Sequence, residues 1–405
     1  MLNPHLERAA QLEGFVKLDP DNEVLLGELA ECHHRGGNQA RALEIYERLG
    51  SLSGETPALL NARGSALLAM GRWGEAAEVL GKAVAGDATA PALRFNLGYA
   101  QLGAGAAKEA VPNLSRAVEL GLGDPRTRYV LAVALEESGD EARAEQELAK
   151  VIDLEPNHHD GLTFAAHLQM AKGRIAEARA TLERLVEAHP SSPNALWMRA
   201  QFEMLNFDAA KALEYLRRAE ALAPEDADIL IGKAQANLML QRAGAARQAA
   251  ERAVALDADE PVARLALGWA HLFENQPAKA EREFGEALRL DPAQADAEAG
   301  IALIALAAQD APRAREALTR AKRIDPATPA VLLTEGALAQ REGHPDLARR
   351  VLEELMSANA LGQSGWTNRE LVQRHAQSPT LRRVTGKWTR YLRREHRARV
   401  RTGGL

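Results

Sequence analysis

The feature that most constrains the fold is a repeat of 34 residues, which runs from Glu23 to about Gly362 without an insertion or deletion. The twentieth residue of every unit is alanine, namely Ala42, Ala76, Ala110, Ala144, Ala178, Ala212, Ala246, Ala280, Ala314 and Ala348. The eighth is alanine or glycine, namely Ala30, Gly64, Gly98, Ala132, Ala166, Ala200, Ala234, Gly268, Ala302 and Gly336. A fixed period of this length is typical of an array in which each unit buries its apolar face on the next. The sequence therefore predicts a binding scaffold before any site is considered.

Each unit is predicted to form two helices and a turn. In the unit 125–158, Gly139 ends the first helix because glycine readily adopts the left-handed conformation, and Pro156 closes the unit. The small eighth and twentieth residues are expected to face each other where the helices cross, since a larger side chain would push the helix axes apart. Asn275 and Phe207 replace the turn glycine in the eighth and sixth units, so we expect those two turns to differ locally.

This pattern strongly resembles the tetratricopeptide repeat, most closely from Gly268 to Pro292 and from Ala132 to Pro156. The resemblance covers residues 23–362 in ten units. It implies an all-α fold, a right-handed α-solenoid (superhelix) of helix-turn-helix repeats, with the first helices lining a concave groove.

Both ends of such an array need a cap, because a terminal unit exposes an apolar face. We predict an N-terminal capping helix within residues 1–22, ten repeats in 23–362, and C-terminal capping helices with a basic tail in 363–405. Thr367 and Glu370 have the spacing of a helix-capping box. Helices are predicted at about 367–376 and 379–398.

Chemistry other than binding has little support in the sequence. Cys32 is the only cysteine, the first residues lack the pattern of a secretory signal, and no apolar run is long enough to span a membrane. We therefore expect a cytoplasmic protein. The histidine pairs at residues 33–34 and 158–159 lack metal-ligand spacing, and no catalytic arrangement of Ser, His and Asp is visible. The sequence predicts no enzyme activity, no cofactor and no metal.

The resemblance places residues two, five, nine, twelve and thirteen of each unit in the groove. The residues predicted to contact a partner are Phe95, Tyr99, Tyr129, Val133, His167, Met170, Trp197, Gln201, Met204, Ile231, Gln235, Leu238, Met239, Leu265, Trp269, Leu272 and Phe273. Aromatic and methionine side chains suit partner recognition because they offer large area and adaptable packing. The alternative interpretation is that these side chains only pack against neighbouring repeats.

Two groove chemistries known from similar repeat proteins are not favoured. A clamp for the carboxylate tail of chaperones needs clustered Lys, Arg and Asn on successive first helices, whereas Asn96 and Arg126 are isolated here. A ladder of asparagines, as in O-GlcNAc transferase, would need more than the single asparagine at the sixth position of the units. The predicted ligand is therefore an apolar or amphipathic protein segment.

The tail carries a charge opposite to that of the array. Residues 363–405 hold eleven Lys/Arg and two Asp/Glu, a balance of +9, so the rest of the chain carries −15 of the total of −6. The favoured interpretation is a capping helix whose apolar stripe covers the tenth unit. Docking to an anionic membrane, to nucleic acid or to an acidic protein such as another copy remains open. The residues assigned to such docking are Arg383, Lys387, Trp388, Arg390 and Arg394.

The function predicted from the sequence is a non-enzymatic scaffold or adaptor that binds a protein segment in its groove. The competing hypotheses are a structural subunit of an enzyme, secretion or envelope assembly, and a scaffold associated with RNA or membrane through the basic C-terminal helix.

Overall fold

A computed structural model of the protein describes residues 3–206 and 208–351. The predicted C-terminal helices, the tail residues Arg383, Lys387, Trp388, Arg390 and Arg394, and the turn residue Phe207 lie outside these ranges. The described chain divides into two compact units, unit 1 ending at Gly161 and unit 2 beginning at Leu162.

The described residues are helical throughout, joined by short turns, with no strand among them. In unit 1 the helices are α1 (Pro4–Leu18), α2 (Glu23–Arg35), α3 (Gln39–Ser53), α4 (Pro57–Ala69), α5 (Trp73–Gly86), α6 (Pro91–Gly103), α7 (Ala107–Glu119), α8 (Pro125–Ser138) and α9 (Glu141–Leu154). The division falls within α10 (His159–Ala171). In unit 2 they are α11 (Ile175–Ala188), α12 (Pro193–Leu205), α13 (Ala209–Leu222), α14 (Ala227–Met239), α15 (Ala243–Leu256), α16 (Pro261–Phe273), α17 (Pro277–Leu290), α18 (Ala295–Ala307), α19 (Ala311–Ile324) and α20 (Pro329–Arg341).

The helices keep the 34-residue register of the sequence. Every first helix of a repeat, from α2 at Glu23 to α20 at Pro329, begins at the first residue of its predicted unit. The second helices begin at the seventeenth residue, from α3 at Gln39 to α19 at Ala311. The predicted fold class, an all-α solenoid of helix-turn-helix repeats, is confirmed.

Polar caps fix where the first helices begin. The residue before the helix uses its side chain to accept a hydrogen bond from the third backbone N–H, which satisfies one of the free donors at a helix start. Residues with this role in first helices are Asn22, Thr56, Asp124, Ser192, Asp226 and Thr328. At the start of α10 the ring nitrogen Nδ1 of His158 accepts a hydrogen bond from the N–H of Gly161 at 2.9 Å.

The described turns within the repeats share one backbone conformation. In the nine repeats whose fifteenth residue is described, that residue has a positive φ, whether it is glycine, as in Gly139 (92°), or not, as in Gln241 (56°), Asn275 (57°) and Gln309 (66°). The next residue donates its N–H to a carbonyl five residues earlier, as Gln276 does to His271 at 2.9 Å. The expectation that the turn at Asn275 differs from the glycine turns was therefore wrong, because asparagine tolerates the left-handed conformation.

The requirement for small residues at the eighth and twentieth positions has a more specific reason than the sequence predicted. The alanines at the twentieth position are buried, as expected for a close helix crossing. The glycines at the eighth position, however, chiefly face the bulky side chain at the twenty-fourth. A Cβ on Gly64 would lie 2.5 Å from Leu80, and one on Gly98 would lie 2.7 Å from Leu114 and 3.1 Å from the carbonyl oxygen of Ala110. The large side chain, more than the facing alanine, therefore excludes a Cβ at the eighth position.

Helix α1 packs beside the first repeat. Its buried residues Ala9 and Leu12 join a core cluster with Leu26 and Leu29 of α2. The predicted C-terminal capping helices lie outside the described residues, so the cap at that end stays a prediction.

Candidate protein-binding faces

Unit 1 contains an aromatic cluster that includes two residues at predicted groove positions, Phe95 and Tyr99. The rings of Phe95 and Tyr99 stack with centroids 5.8 Å apart, and Trp73 meets Tyr99 edge-on at 5.7 Å. The guanidinium of Arg126 lies 5.1 Å from the centroid of Phe95. Phe95 and Tyr99 are both buried, so in this structure these side chains mainly pack between repeats.

The other predicted positions of unit 1 are more accessible. Tyr129 and Val133 are half-buried, and the ring of Tyr129 lies 5.8 Å from that of His158. The amide of Asn96 donates a hydrogen bond to Asn61 at 2.8 Å, so these two side chains join neighbouring first helices. Whether Phe95, Tyr99, Tyr129 and Val133 contact a partner stays a prediction.

In unit 2 two tryptophans are held half-buried on first helices. The indole N–H of Trp197 donates to the backbone carbonyl of Asp228 on the next first helix at 3.2 Å. Trp269 meets Phe284 edge-on with centroids 5.3 Å apart, and lies 6.2 Å from Phe273. Both indoles are thus oriented by contacts within the unit, and each leaves part of its surface open.

Three exposed apolar side chains follow one another at the thirteenth position of repeats six, seven and eight. Leu205 is 54% exposed, Met239 42% and Phe273 56%. Met204, Leu238 and Leu272, at the preceding position of the same repeats, are half-buried beside them. We call Trp197, Leu205, Met239, Trp269 and Phe273 the unit-2 ridge. Leu205 was absent from the predicted set, although its register position matches that of Met239 and Phe273.

The remaining predicted residues of unit 2 differ in how far they are exposed. His167 and Ile231 are buried, and burial lowers the pKa of His167 to about 4. The half-buried ones are Met170, Gln201, Gln235 and Leu265. A contact between any of them and a partner remains untested.

Few charged residues occupy the predicted groove positions of repeats six to eight. Of the fifteen residues at positions two, five, nine, twelve and thirteen of repeats six to eight, Asp228 alone is charged. A surface that pairs exposed apolar groups with few charges suits contact with another apolar surface. Among residues 3–206 and 208–351, no three His, Cys, Asp or Glu side chains are grouped to hold a metal ion. In the same ranges, no helix has the length and hydropathy needed to cross a bilayer.

Helix pairs in constant register, with side chains presented at repeated positions, define a helical-repeat scaffold for protein interaction. Family models described as tetratricopeptide repeat match residues 61–125, 135–202, 206–261, 265–329 and 329–354. The chain belongs to the tetratricopeptide repeat family, as its sequence pattern predicted. No curated protein matches the chain in sequence.

Two solved structures are similar to the chain at low sequence identity. The crystal structure of the APC/C hetero-tetramer Cut9-Hcn1 is similar over 91% of this chain and 80% of its own, with 15% identity and a TM-score of 0.51. A tetratricopeptide repeat protein from Parabacteroides merdae is similar over 63% of this chain and 99% of its own, with 18% identity and a TM-score of 0.49. At these identities the likeness concerns the fold alone.

Proposed function

We propose that this protein is a non-enzymatic adaptor that binds an apolar or amphipathic segment of a partner protein on the unit-2 ridge. The observation that carries the proposal is the row of exposed side chains Leu205, Met239 and Phe273 at one register position of three successive repeats. Because each residue is placed by its own repeat, the row follows from the array and offers one exposed apolar side chain per repeat.

The exposure of these residues is unfavourable without a partner. Burying apolar surface contributes about 25 cal/mol per Å², so covering side chains of this size stabilises a complex substantially. Met239 can adapt its shape to a partner, whereas Trp197 and Trp269 are already oriented by the Asp228 carbonyl and by Phe284. Oriented aromatic anchors lose little conformational freedom on binding.

The chemistry of the ridge favours a helical partner segment with one apolar face. Such a segment presents side chains at spacings of three and four residues, which can meet a row of apolar groups on neighbouring helices. Asp228 is the one charge at the five groove positions of these repeats, and its neighbourhood offers little to a highly charged extended peptide.

The test is a pulldown with the triple variant Leu205→Ser/Met239→Ser/Phe273→Ser beside the wild type. A matched control is Leu222→Ser/Leu256→Ser, which removes two equally exposed leucines (46% each) at the thirtieth position of repeats six and seven. We expect the triple variant to lose partners that the control retains. If the control loses them and the triple variant does not, the partner binds along the second-helix ends and the competing structural-subunit hypothesis is favoured.

A further inference from the structure

A second surface of unit 2, separate from the ridge, is a small cationic cleft between α13, α14 and α15. It has a volume of about 230 Å³ and is lined by Arg217, Lys233, Asn237, Gln248 and Arg252, with Leu213 among its apolar residues. The three cations come from three different helices, so they approach the cleft from different directions.

Positive charge in the cleft exceeds the charge that neutralises it. Glu220 pairs with both Lys233 and Arg252, the latter at 2.6 Å. No described carboxylate lies within ion-pair distance of Arg217. Three cations against one carboxylate leave a balance of +2. The side chain of Lys233 is only 17% exposed, whereas Arg252 is 52% exposed and Arg217 is exposed, so the two arginines present their charge to a ligand from solvent.

In the preceding repeat, the cation at the same register position is neutralised by carboxylates of the protein itself. There Arg199, at the seventh position of repeat six, is buried and lies 2.7 Å from Glu203 and 3.4 Å from Glu183. One repeat later the equivalent of Arg199 is Lys233. The equivalents of Glu183 and Glu203 are Arg217 and Asn237. The cation is kept, but both carboxylates are replaced.

We propose that the cleft binds a phosphate group carried by a protein segment, which supplies from outside the negative charge that the neighbouring repeat supplies from its own side chains. A phosphomonoester carries about −1.5 to −2 charges at neutral pH, which matches the local balance, and its three terminal oxygens accept hydrogen bonds from several directions. The cleft is smaller than typical small-molecule pockets of about 300–1,000 Å³, so it suits a single phosphoryl group better than a whole nucleotide.

Binding is tested on the full chain by calorimetry, with inorganic phosphate and O-phosphoserine as the probes and serine as the uncharged comparison. We expect both phosphate probes to bind more weakly as salt rises, and Arg217→Glu to weaken them by about tenfold or more, as loss of a charge-assisted contact requires. Arg217→Gln should give a smaller loss in the same direction.

The matched control is Arg218→Glu, which makes the same charge change at the adjacent residue of α13. Arg218 does not line the cleft and lies over the ring of Tyr215. The control should leave phosphate binding within about twofold of wild type, because screening by salt limits the effect of more distant charges. Equal losses in Arg217→Glu and Arg218→Glu would overturn the proposal by showing non-specific attraction, and so would unchanged binding in both.

Two further readouts separate the site from the basic tail and from lipid. Arg217→Glu places a carboxylate in register with Glu183, so it should pair with Lys233 and raise the melting temperature, whereas Arg218→Glu should not. Binding to phosphatidylcholine vesicles containing phosphatidic acid should be insensitive to Arg217→Glu. If vesicle binding depends on Arg217 while O-phosphoserine does not bind, the assignment to a phosphorylated protein segment is wrong.

Discussion

The ring of Phe284 packs so closely on Gly268 that a Cβ atom there would lie 2.6 Å from the ring carbon Cδ1. Gly300 of the next repeat contacts the same ring from another side. Most repeats carry leucine at the twenty-fourth position, as in Leu80, whereas repeat eight carries this larger ring. The two glycines therefore make room for the phenylalanine, and the three residues form one packing unit across two repeats.

Replacing Gly300 by alanine is expected to destabilise the protein by about 1–3 kcal/mol, because the ring cannot move away without disturbing a close-packed core. The free energy of unfolding in urea measures the effect. The variant Gly300→Ala/Phe284→Leu should recover most of the loss, since leucine is the residue that other repeats accommodate at this position.

The neighbouring glycine of α17 is the control. A Cβ on Gly285 would meet no atom within 4 Å, so Gly285→Ala should stabilise the helix by about 0.5–1 kcal/mol through the better helix propensity of alanine. Destabilisation by both glycine replacements to the same extent would mean that the close contact with Phe284 is not the cause.

At the turn residues, in contrast to Gly300, introducing a glycine is expected to raise stability. Gln241 and Gln309 have φ values of 56° and 66°, a conformation that costs most residues about 1–2 kcal/mol relative to glycine. Replacing either by glycine should therefore raise stability, by about 0.5–1 kcal/mol after the greater freedom of the unfolded glycine chain is subtracted. Asn275→Gly should gain less, since asparagine tolerates this region. Thermal unfolding of the three single variants is the measurement, and the reverse change Gly71→Gln should lower stability.

The fold could be predicted from the sequence almost completely, because the register is written in it every 34 residues. The starts of the first helices at Pro57 and Pro329, for example, follow directly from the repeat. The left-handed turns at Gln241 and Gln309 could not be predicted, since glutamine has no preference for that conformation and only the repeat imposes it.

The candidate faces were predictable in position but not in exposure. The register identifies Phe95 and Phe273 as equivalent kinds of groove residue, yet Phe95 is buried beneath its neighbours and Phe273 is 56% exposed. That difference depends on which side chains the adjacent helices supply. The burial of the charged Arg199 side chain could not be predicted from the sequence either, because its neutralising partners come from two helices.

Arg199 and Glu203 form a buried ion pair at 2.7 Å, with side chains 1% and 3% exposed. Removing one partner leaves a charge without full compensation in a poorly solvated place, so Arg199→Leu or Glu203→Leu alone should cost about 3–5 kcal/mol. The double variant should recover much of that loss, because repeat four carries Leu131 and Leu135 at the equivalent positions. Urea unfolding of the double-mutant cycle measures the coupling, and a double variant as unstable as the sum of the singles would contradict it.

His167 predicts how stability depends on pH. Burial lowers its pKa from 6.5 to about 4, so the unfolded chain binds a proton at this residue more readily than the folded protein does. The contribution of the neutral ring is complete above pH 6.5 and is lost as the pH falls through the interval down to about 4, a loss of about 3 kcal/mol from the two pKa values. Urea unfolding at intervals across that range should show a shallower acid dependence for His167→Gln than for wild type. The control His344→Gln removes an exposed histidine and should retain the wild-type slope, whereas an equal slope in all three proteins would show that His167 takes up its proton without unfolding.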